Sequence, residues 1–278
     1  MAKWPDDKMT QFFRSHPGLV VYLTCGDPDL KTTLEVALAA IEAGADVIEL
    51  GVPFSDPVAD GPVIQRASER ALARGTSLKD VLRLASEIRM HAPHAGLIIF
   101  SYFNPILRFG LKSFCVAARD SGADGALVTD LTVEEADEYR SLMHAHHLAT
   151  VFLAAPTSTD ERLKRIAAAS QGFVYAVSRT GITGTRDQLA ADASLLSKRL
   201  RKFTKLPIAV GFGISTAEHF RAVGEFADAA VVGSAIVQLI ERSTAGALNN
   251  AEGRGVAQAV AGFIRSLKGE PKAASRMR

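Results

Sequence analysis

The 278-residue sequence predicts an α/β protein, a single-domain (β/α)8 or TIM barrel. Eight short apolar runs recur along the chain, amphipathic helical patterns lie between them, and several helices are preceded by capping signatures. The length is typical of one such barrel. A doubly wound open sheet is the competing fold, but it would normally carry a glycine-rich fingerprint after its first strand. The segment at 25–29, Cys-Gly-Asp-Pro-Asp, lacks that fingerprint.

The predicted strands are mostly continuous apolar runs, which is typical of parallel strands covered on both faces. In chain order they are Leu19–Thr24, Val47–Gly51, Leu97–Ser101, Ala126–Thr129, Thr150–Leu153, Phe173–Ser178, Ile208–Gly211 and Ala229–Val232.

The clearest amphipathic helices are predicted at Thr32–Ala43 and Leu78–His91, where apolar residues recur on one face. Three capping boxes are predicted soon after strands, because a hydroxyl residue is followed three positions later by a glutamate. They lie at Thr132–Glu135, Ser158–Glu161 and Ser215–Glu218.

We expect residues 1–268 to form the barrel domain, including an extra N-terminal helix, and residues 269–278 to form a disordered basic tail.

The balance of 32 basic and 30 acidic residues argues against a nucleic-acid-binding protein. Two cysteines cannot form a disulfide framework and are expected to be buried apolar residues. With no recognisable signal peptide or membrane span, a cytoplasmic location is expected.

In a barrel of this kind, catalytic groups lie at the carboxyl ends of the strands. Glu49 lies among apolar neighbours near the end of the second predicted strand, where burial would raise its pKa. Asp60 follows in the Pro53–Pro62 loop, so the two carboxyl groups could divide acid and base roles. The alternatives are a structural Glu49 paired with an arginine, and a loop that is only a solvated turn.

Glycines follow the seventh and eighth predicted strands, at Gly211–Ser215 and Val232–Ala235. Such glycines and the following helix N-termini are typical of a phosphate site, although the same groups also serve simple helix capping. The Ser178–Thr185 loop is interpreted as a lid or a plain loop. Tyr175 could present its hydroxyl to the site, and Tyr102 is polar at the end of the third strand. The seven histidines form no metal-binding pattern.

The segment from Glu49 to Pro62, ELGVPFSDPVADGP, closely resembles the signature of the tryptophan synthase alpha subunit. The resemblance extends over about residues 12–267. It includes the segments Gly26–Pro28, Ser178–Gly184, Gly211–Gly213 and Gly233–Ile236.

The resemblance implies a retro-aldol cleavage of indole-3-glycerol phosphate to indole and glyceraldehyde 3-phosphate. Glu49 would be the acid and base, Asp60 would bind the indole N–H, and Tyr175 would lie beside Glu49. Thr183 would be the lid residue that meets Asp60. The other implied substrate-binding residues are Tyr22, Phe100, Leu127 and Leu153 around the ring, and Gly184, Phe212, Gly213, Gly233 and Ser234 around the phosphate.

The family uses no metal or cofactor in this subunit, and its partner is a pyridoxal-phosphate beta subunit in an alpha2-beta2 complex. The family's partner contacts would map to the Pro53–Asp60 loop and to Asn104–Gly110. Tyr22, Phe100 and Thr132 depart from the residues common in the family, which are Phe, Leu and Pro. The alternatives are a stand-alone indole-3-glycerol-phosphate lyase and another phosphate-sugar isomerase or epimerase barrel.

Overall fold

The computed structural model describes residues 12–13, 16–177, 186–211, 213–246 and 253–269, and it confirms the predicted (β/α)8 barrel. Within the described residues, nine strand segments form one parallel sheet in the order β5-β4-β3-β2-β1-β9-β8-β7-β6. The segments are β1 Gly18–Thr24, β2 Val47–Gly51, β3 Gly96–Ser101, β4 Gly125–Val128, β5 Ala149–Val151, β6 Leu153–Ala154, β7 Val174–Val177, β8 Ile208–Gly211 and β9 Ala229–Val232.

The fifth barrel strand is interrupted, which corrects the prediction of one strand over Thr150–Leu153. Its first segment, β5, pairs with β4, and its second, β6, pairs with β7. Phe152 lies between the two segments, and its carbonyl accepts the Tyr175 N–H at 3.1 Å. One chain segment thus bridges the two ends of the sheet, so the nine segments correspond to eight barrel strands.

Helices alternate with the strands as the sequence predicts. Their bounds are α1 Leu30–Glu42, α2 Pro62–Ala73, α3 Leu78–His91, α4 Phe103–Phe109, α5 Leu111–Asp120, α6 Asp137–Ala145, α7 Asp160–Ala169, α8 Arg186–Leu200, α9 Ala217–Val223, α10 Ser234–Gly246 and α11 Gly253–Lys268. The prediction for α3 is confirmed, while α1 starts earlier because Asp29 caps it by accepting the Thr32 N–H. The expected extra N-terminal helix, before Phe12, and residues 270–278 lie outside the described residues.

The three predicted capping boxes are wrong in detail. Thr159, rather than Ser158, caps α7, and Thr216, rather than Ser215, caps α9. Each threonine accepts the N–H three residues later, so the capping position is shifted by one. The Thr132–Glu135 segment forms a turn, and α6 begins only at Asp137.

Side chains inside the barrel form a separate apolar cluster from those between the sheet and the helices. Val20, Val47 and Ile98 belong to the interior cluster. Because side chains alternate along a strand, the residues two positions later in β1 and β2, Tyr22 and Glu49, point to the same interior nearer the mouth. Both cysteines are fully buried and free, as predicted.

At the opposite end of the barrel, aspartates at or near strand starts accept the amide N–H of the preceding strand. The pairs are Asp46 with Leu19, Asp124 with Leu97 and Asp228 with Ile208, at 2.8, 2.9 and 2.6 Å. Polar groups on this face of such barrels serve stability rather than catalysis. None of the helices that the structure describes is both long and apolar enough to cross a membrane.

Candidate active site

Glu49 lies at the centre of the barrel mouth, in register with Tyr22 of β1 and Ile98 of β3. Its side chain is fully buried, and within the described residues neither carboxylate oxygen has a hydrogen-bond partner. Burial raises the pKa of Glu49 to about 8, because an unpaired carboxylate is poorly solvated there. The alternative of a structural Glu49 paired with an arginine is not observed among these residues.

Asp60 lies in the loop that joins β2 to α2, immediately before Gly61, the N-cap of that helix. Burial raises the pKa of Asp60 to about 6, and a hydrogen bond from the Tyr102 hydroxyl acts in the opposite direction. The same hydroxyl accepts the N–H of Ala59 at 2.9 Å. Tyr102 therefore holds the backbone of this part of the loop and lowers the pKa of the carboxyl group that follows it.

The two carboxyl groups are in different states near neutral pH. With a pKa of about 8, Glu49 is mostly protonated and can donate a proton. With a pKa of about 6, Asp60 is mostly ionised and can stabilise positive charge or accept an N–H. A pair of carboxyl groups with separated pKa values is the usual arrangement for dividing acid and anionic roles.

Two tyrosines flank this pair. Burial raises the pKa of Tyr175, and the negative charges of Glu49 and Asp60 raise it further. Tyr22 shows the same direction of pKa shift, and burial is again the largest cause. A Cβ on Gly51 would collide with the Tyr22 hydroxyl, so glycine makes room for this ring at the end of β2.

Apolar side chains form a wall beside the carboxyl groups. The rings of Tyr22 and Phe100 meet edge to face, with centroids 4.9 Å apart and planes at 74°. Leu127 is fully buried, and Leu153 packs against the same interior cluster. Ile64 of α2 and Phe100 both pack against the small buried cluster that contains Tyr22. This wall suits a flat apolar ring.

The glycines predicted to bind phosphate lie at the ends of β8 and β9. Gly213 has a φ of +74°, which favours glycine, and a Cβ there would meet open space. Gly233 precedes α10, and its carbonyl accepts the N–H groups of Ile236 and Val237. The first amides of a helix, here beginning at Ser234, have no partner within the helix and favour anions. Helix capping and anion binding thus remain compatible at this position.

Three of the predicted site residues, Thr183, Gly184 and Phe212, lie outside the described residues, as does the Ser178–Thr185 loop. Sequence reasoning assigned no role to Tyr102, although it recognised a polar residue at the right strand end. Thr24 was missed, and its hydroxyl lies 3.4 Å from that of Tyr22, to which it donates. Its position as the last residue of β1 was the signal that could have identified it.

Two exposed apolar side chains lie in the segments expected to contact a partner. Val58 in the Asp60 loop is 86% exposed, and Leu107 in α4 is 52% exposed. In the described part of the chain, no group of three or more His, Cys, Asp and Glu side chains is arranged to hold a metal ion.

The whole chain is similar to the members of one protein family. The family model described as tryptophan synthase alpha chain matches residues 10–264. The tryptophan synthase alpha chain of Solibacter usitatus is 50% identical over 250 residues, which cover 90% of this chain and 91% of that protein. That of Roseiflexus sp. is 45% identical over 251 residues, covering 90% and 93%.

Solved structures of tryptophan synthase alpha subunits also resemble this chain. The alpha subunit from Legionella pneumophila superposes with a TM-score of 0.84 at 34% identity, covering 96% of this chain and 97% of that one. A chain of the tryptophan synthase complex from Pyrococcus furiosus gives a TM-score of 0.80 at 37% identity, covering 91% and 98%. The matches in sequence and structure span the barrel and its mouth, and the chain belongs to the tryptophan synthase alpha chain family.

Proposed function

We propose that Glu49 and Asp60 carry out the lyase reaction of this family, the retro-aldol cleavage of indole-3-glycerol phosphate to indole and glyceraldehyde 3-phosphate. Protonated Glu49 donates its proton to the indole carbon that bears the side chain. The resulting carboxylate then accepts the proton of the glycerol hydroxyl as the carbon–carbon bond breaks. Ionised Asp60 accepts the indole N–H and stabilises the cationic ring.

The remaining site residues hold the substrate. Tyr22, Phe100, Leu127 and Leu153 enclose the indole ring, and Tyr175 lies beside Glu49. Amides at Gly213, Gly233 and Ser234 bind the phosphate, and we extend this role to Gly184 and Phe212. Thr183 is proposed to meet Asp60 when its loop closes over the substrate.

The observation that carries this proposal is the buried carboxyl group of Glu49, which has no hydrogen-bond partner among the described residues. Its pKa of about 8 supplies a proton donor at neutral pH without any external acid. General acid–base catalysis of this kind contributes roughly 10²–10⁴-fold to the rate. The apolar wall beside it fits the indole ring of the proposed substrate.

We further propose that the chain works with a beta subunit in an alpha2-beta2 complex, in the cytoplasm. The solved structures similar to this chain include a tryptophan synthase complex and a tryptophan synthase a2b2 complex, both from Pyrococcus furiosus. This subunit would need no metal or cofactor, and pyridoxal phosphate would belong to the beta subunit. The exposed side chains of Val58 and Leu107 are candidates for that interface.

Indole release from indole-3-glycerol phosphate tests the proposal, measured for wild type and Glu49→Gln with and without a beta subunit. We expect Glu49→Gln to lose at least about a hundredfold in kcat while its affinity for glycerol 3-phosphate persists. Retained turnover in this variant would remove Glu49 from its role. High wild-type turnover that does not change on adding the beta subunit would favour a stand-alone lyase.

A further inference from the structure

A charged network joins three elements around the barrel mouth, and Arg70 of α2 lies at its centre. The Arg70 Nε and Nη2 atoms both donate to the Asp27 carboxylate at 2.8 Å, and Nη1 donates to Glu241 at 2.8 Å. Asp27 is only 4% exposed and lies in the turn after β1. Glu241 belongs to α10. One guanidinium group therefore bridges two carboxylates on different elements.

Arg66, one helical turn before Arg70, reinforces the bridge to α10. Its Nε and Nη2 atoms donate to the Glu241 carboxylate at 3.0 and 2.9 Å. The hydrogen bonds from Arg66 and Arg70 hold the pKa of Glu241 at about 2. Bidentate pairs of this kind fix orientation as well as distance, because the guanidinium plane must match the carboxylate.

The two helices that Glu241 connects carry the two halves of the proposed site. Helix α2 begins immediately after Asp60, and Gln65 in its first turn donates to the Asp60 carbonyl at 2.8 Å. Helix α10 begins at Ser234, where the phosphate is proposed to bind. Arg70 itself is ten positions from Asp60 and is committed to other partners, so any effect on Asp60 passes through α2.

We propose that Arg70 and Glu241 are positioning residues, which hold the Asp60 loop at a fixed orientation relative to the phosphate-binding end of α10. A substrate anchored by its phosphate then meets Asp60 at the right place without further adjustment. This inference rests on the proposed function. It adds a determinant of kcat that lies outside the substrate pocket and contacts no substrate.

The test separates positioning from simple stabilisation by changing Glu241 rather than the buried Asp27. Glu241→Gln removes the charged link to α10 and leaves the Asp27–Arg70 pair intact. Arg70→Lys keeps one positive charge for Asp27. A single ammonium group, however, cannot donate to both Asp27 and Glu241 with the geometry of the guanidinium group. Glu161→Gln is the matched control, because Glu161 pairs with Arg165 within α7 and neither residue belongs to the proposed site or to the Arg70 network.

For each variant we would measure kcat and KM for indole-3-glycerol phosphate, the affinity for glycerol 3-phosphate, and the unfolding midpoint in urea. Misplaced catalytic groups lower kcat. We therefore expect kcat to fall about tenfold in Glu241→Gln and in Arg70→Lys, with KM and glycerol 3-phosphate affinity within about threefold of wild type. The double variant should lose less than the product of the two single losses, because both substitutions weaken the Arg70–Glu241 contact.

A kcat within twofold of wild type in Glu241→Gln would overturn the inference. So would a loss that follows the unfolded fraction, a parallel loss of glycerol 3-phosphate affinity, or additive losses in the double variant. The Glu49→Gln comparison keeps the two proposals apart. If that variant still releases indole, the proposed function itself fails, whereas a normal Glu241→Gln enzyme beside an inactive Glu49→Gln enzyme rejects only the positioning role.

Discussion

At the residue scale, the surroundings of each carboxyl group set its protonation state. Glu49 is enclosed by the barrel interior and keeps its proton to about pH 8, whereas Asp60 receives a hydrogen bond from Tyr102 and ionises at about pH 6. Both pKa values are raised by burial, and the difference between them comes from the depth of burial and from Tyr102. The two groups can therefore differ in charge at neutral pH.

Burial of Glu49 makes the stability of the protein depend on pH. Between about pH 4.5 and pH 8 the unfolded chain has lost this proton and the native state retains it, so raising the pH favours unfolding. Glu49→Gln cannot titrate. As the pH rises across this window, we expect the unfolding free energy of this variant to increase relative to that of wild type, by at most about 5 kcal/mol.

Urea unfolding of both proteins at several pH values measures this difference. Glu161→Gln, which changes an exposed glutamate in a helix, is the control for removing one glutamate. A constant difference between Glu49→Gln and wild type from pH 4.5 to pH 8 would contradict a raised pKa at Glu49.

Tyr102→Phe should raise the pKa of Asp60 above about 6, because it removes the hydrogen bond that lowers this pKa. The acidic limb of the pH profile of kcat/KM should then move to higher pH by several tenths of a unit or more. Tyr139→Phe is the control, since that buried hydroxyl donates to the Ala126 carbonyl in the core. Superimposable profiles for Tyr102→Phe and wild type would show that the hydroxyl does not act on Asp60.

At the element scale, α7 and α9 begin where a threonine side chain caps the first free amide groups. The sequence predicts such starts near Ser158 and Ser215, but two hydroxyl residues are adjacent in each case. Local spacing favours the first of them because a glutamate follows three positions later. The structure uses the second, Thr159 and Thr216, since the path of the chain from the preceding strand decides which residue takes the extended conformation.

This shift in capping position has a measurable consequence in α9. Thr216→Ala removes the hydroxyl that accepts the His219 N–H, so we expect it to lower the unfolding free energy by about 1 kcal/mol. Ser215→Ala, one residue earlier, should change it by less than about 0.5 kcal/mol. Urea unfolding measures both losses. Equal losses in the two variants would contradict the assignment of Thr216, rather than Ser215, as the capping residue.

At the scale of the whole molecule, the barrel was predictable because its strands are continuous apolar runs with helical patterns between them. The bounds of β8 and β9 are those that the sequence predicts. Glu49 and Asp60 could be assigned to the mouth because Glu49 lies near the carboxyl end of a predicted strand and Asp60 lies in the loop that follows. The interruption at Phe152 could not be predicted, since it depends on which neighbour each half of the strand pairs with. The same holds for the contact between Arg70 and Glu241, which are 171 positions apart.

The position of the exposed apolar residues suggests which face meets a partner. Leu107→Lys should weaken binding to a beta subunit by at least about tenfold, because it would place a charge on an exposed apolar residue of the proposed interface. Met90→Lys is the control, since Met90 is 72% exposed on α3 and lies outside the two segments expected to contact the partner. Titration of the beta subunit measures both affinities. Unchanged binding by Leu107→Lys would show that Leu107 does not belong to the interface.

The central claim is that Glu49 and Asp60 flank an aromatic ring whose phosphate arm is held by glycine amides. A crystal structure with an unreactive analogue, an indole joined to a phosphate by a plain three-carbon chain, tests it most directly. We expect the indole nitrogen within about 3 Å of the Asp60 carboxylate and the phosphate on the amides at Gly233 and Ser234. A heterocycle bound away from both carboxyl groups, or a phosphate that touches neither glycine loop, would contradict the claim.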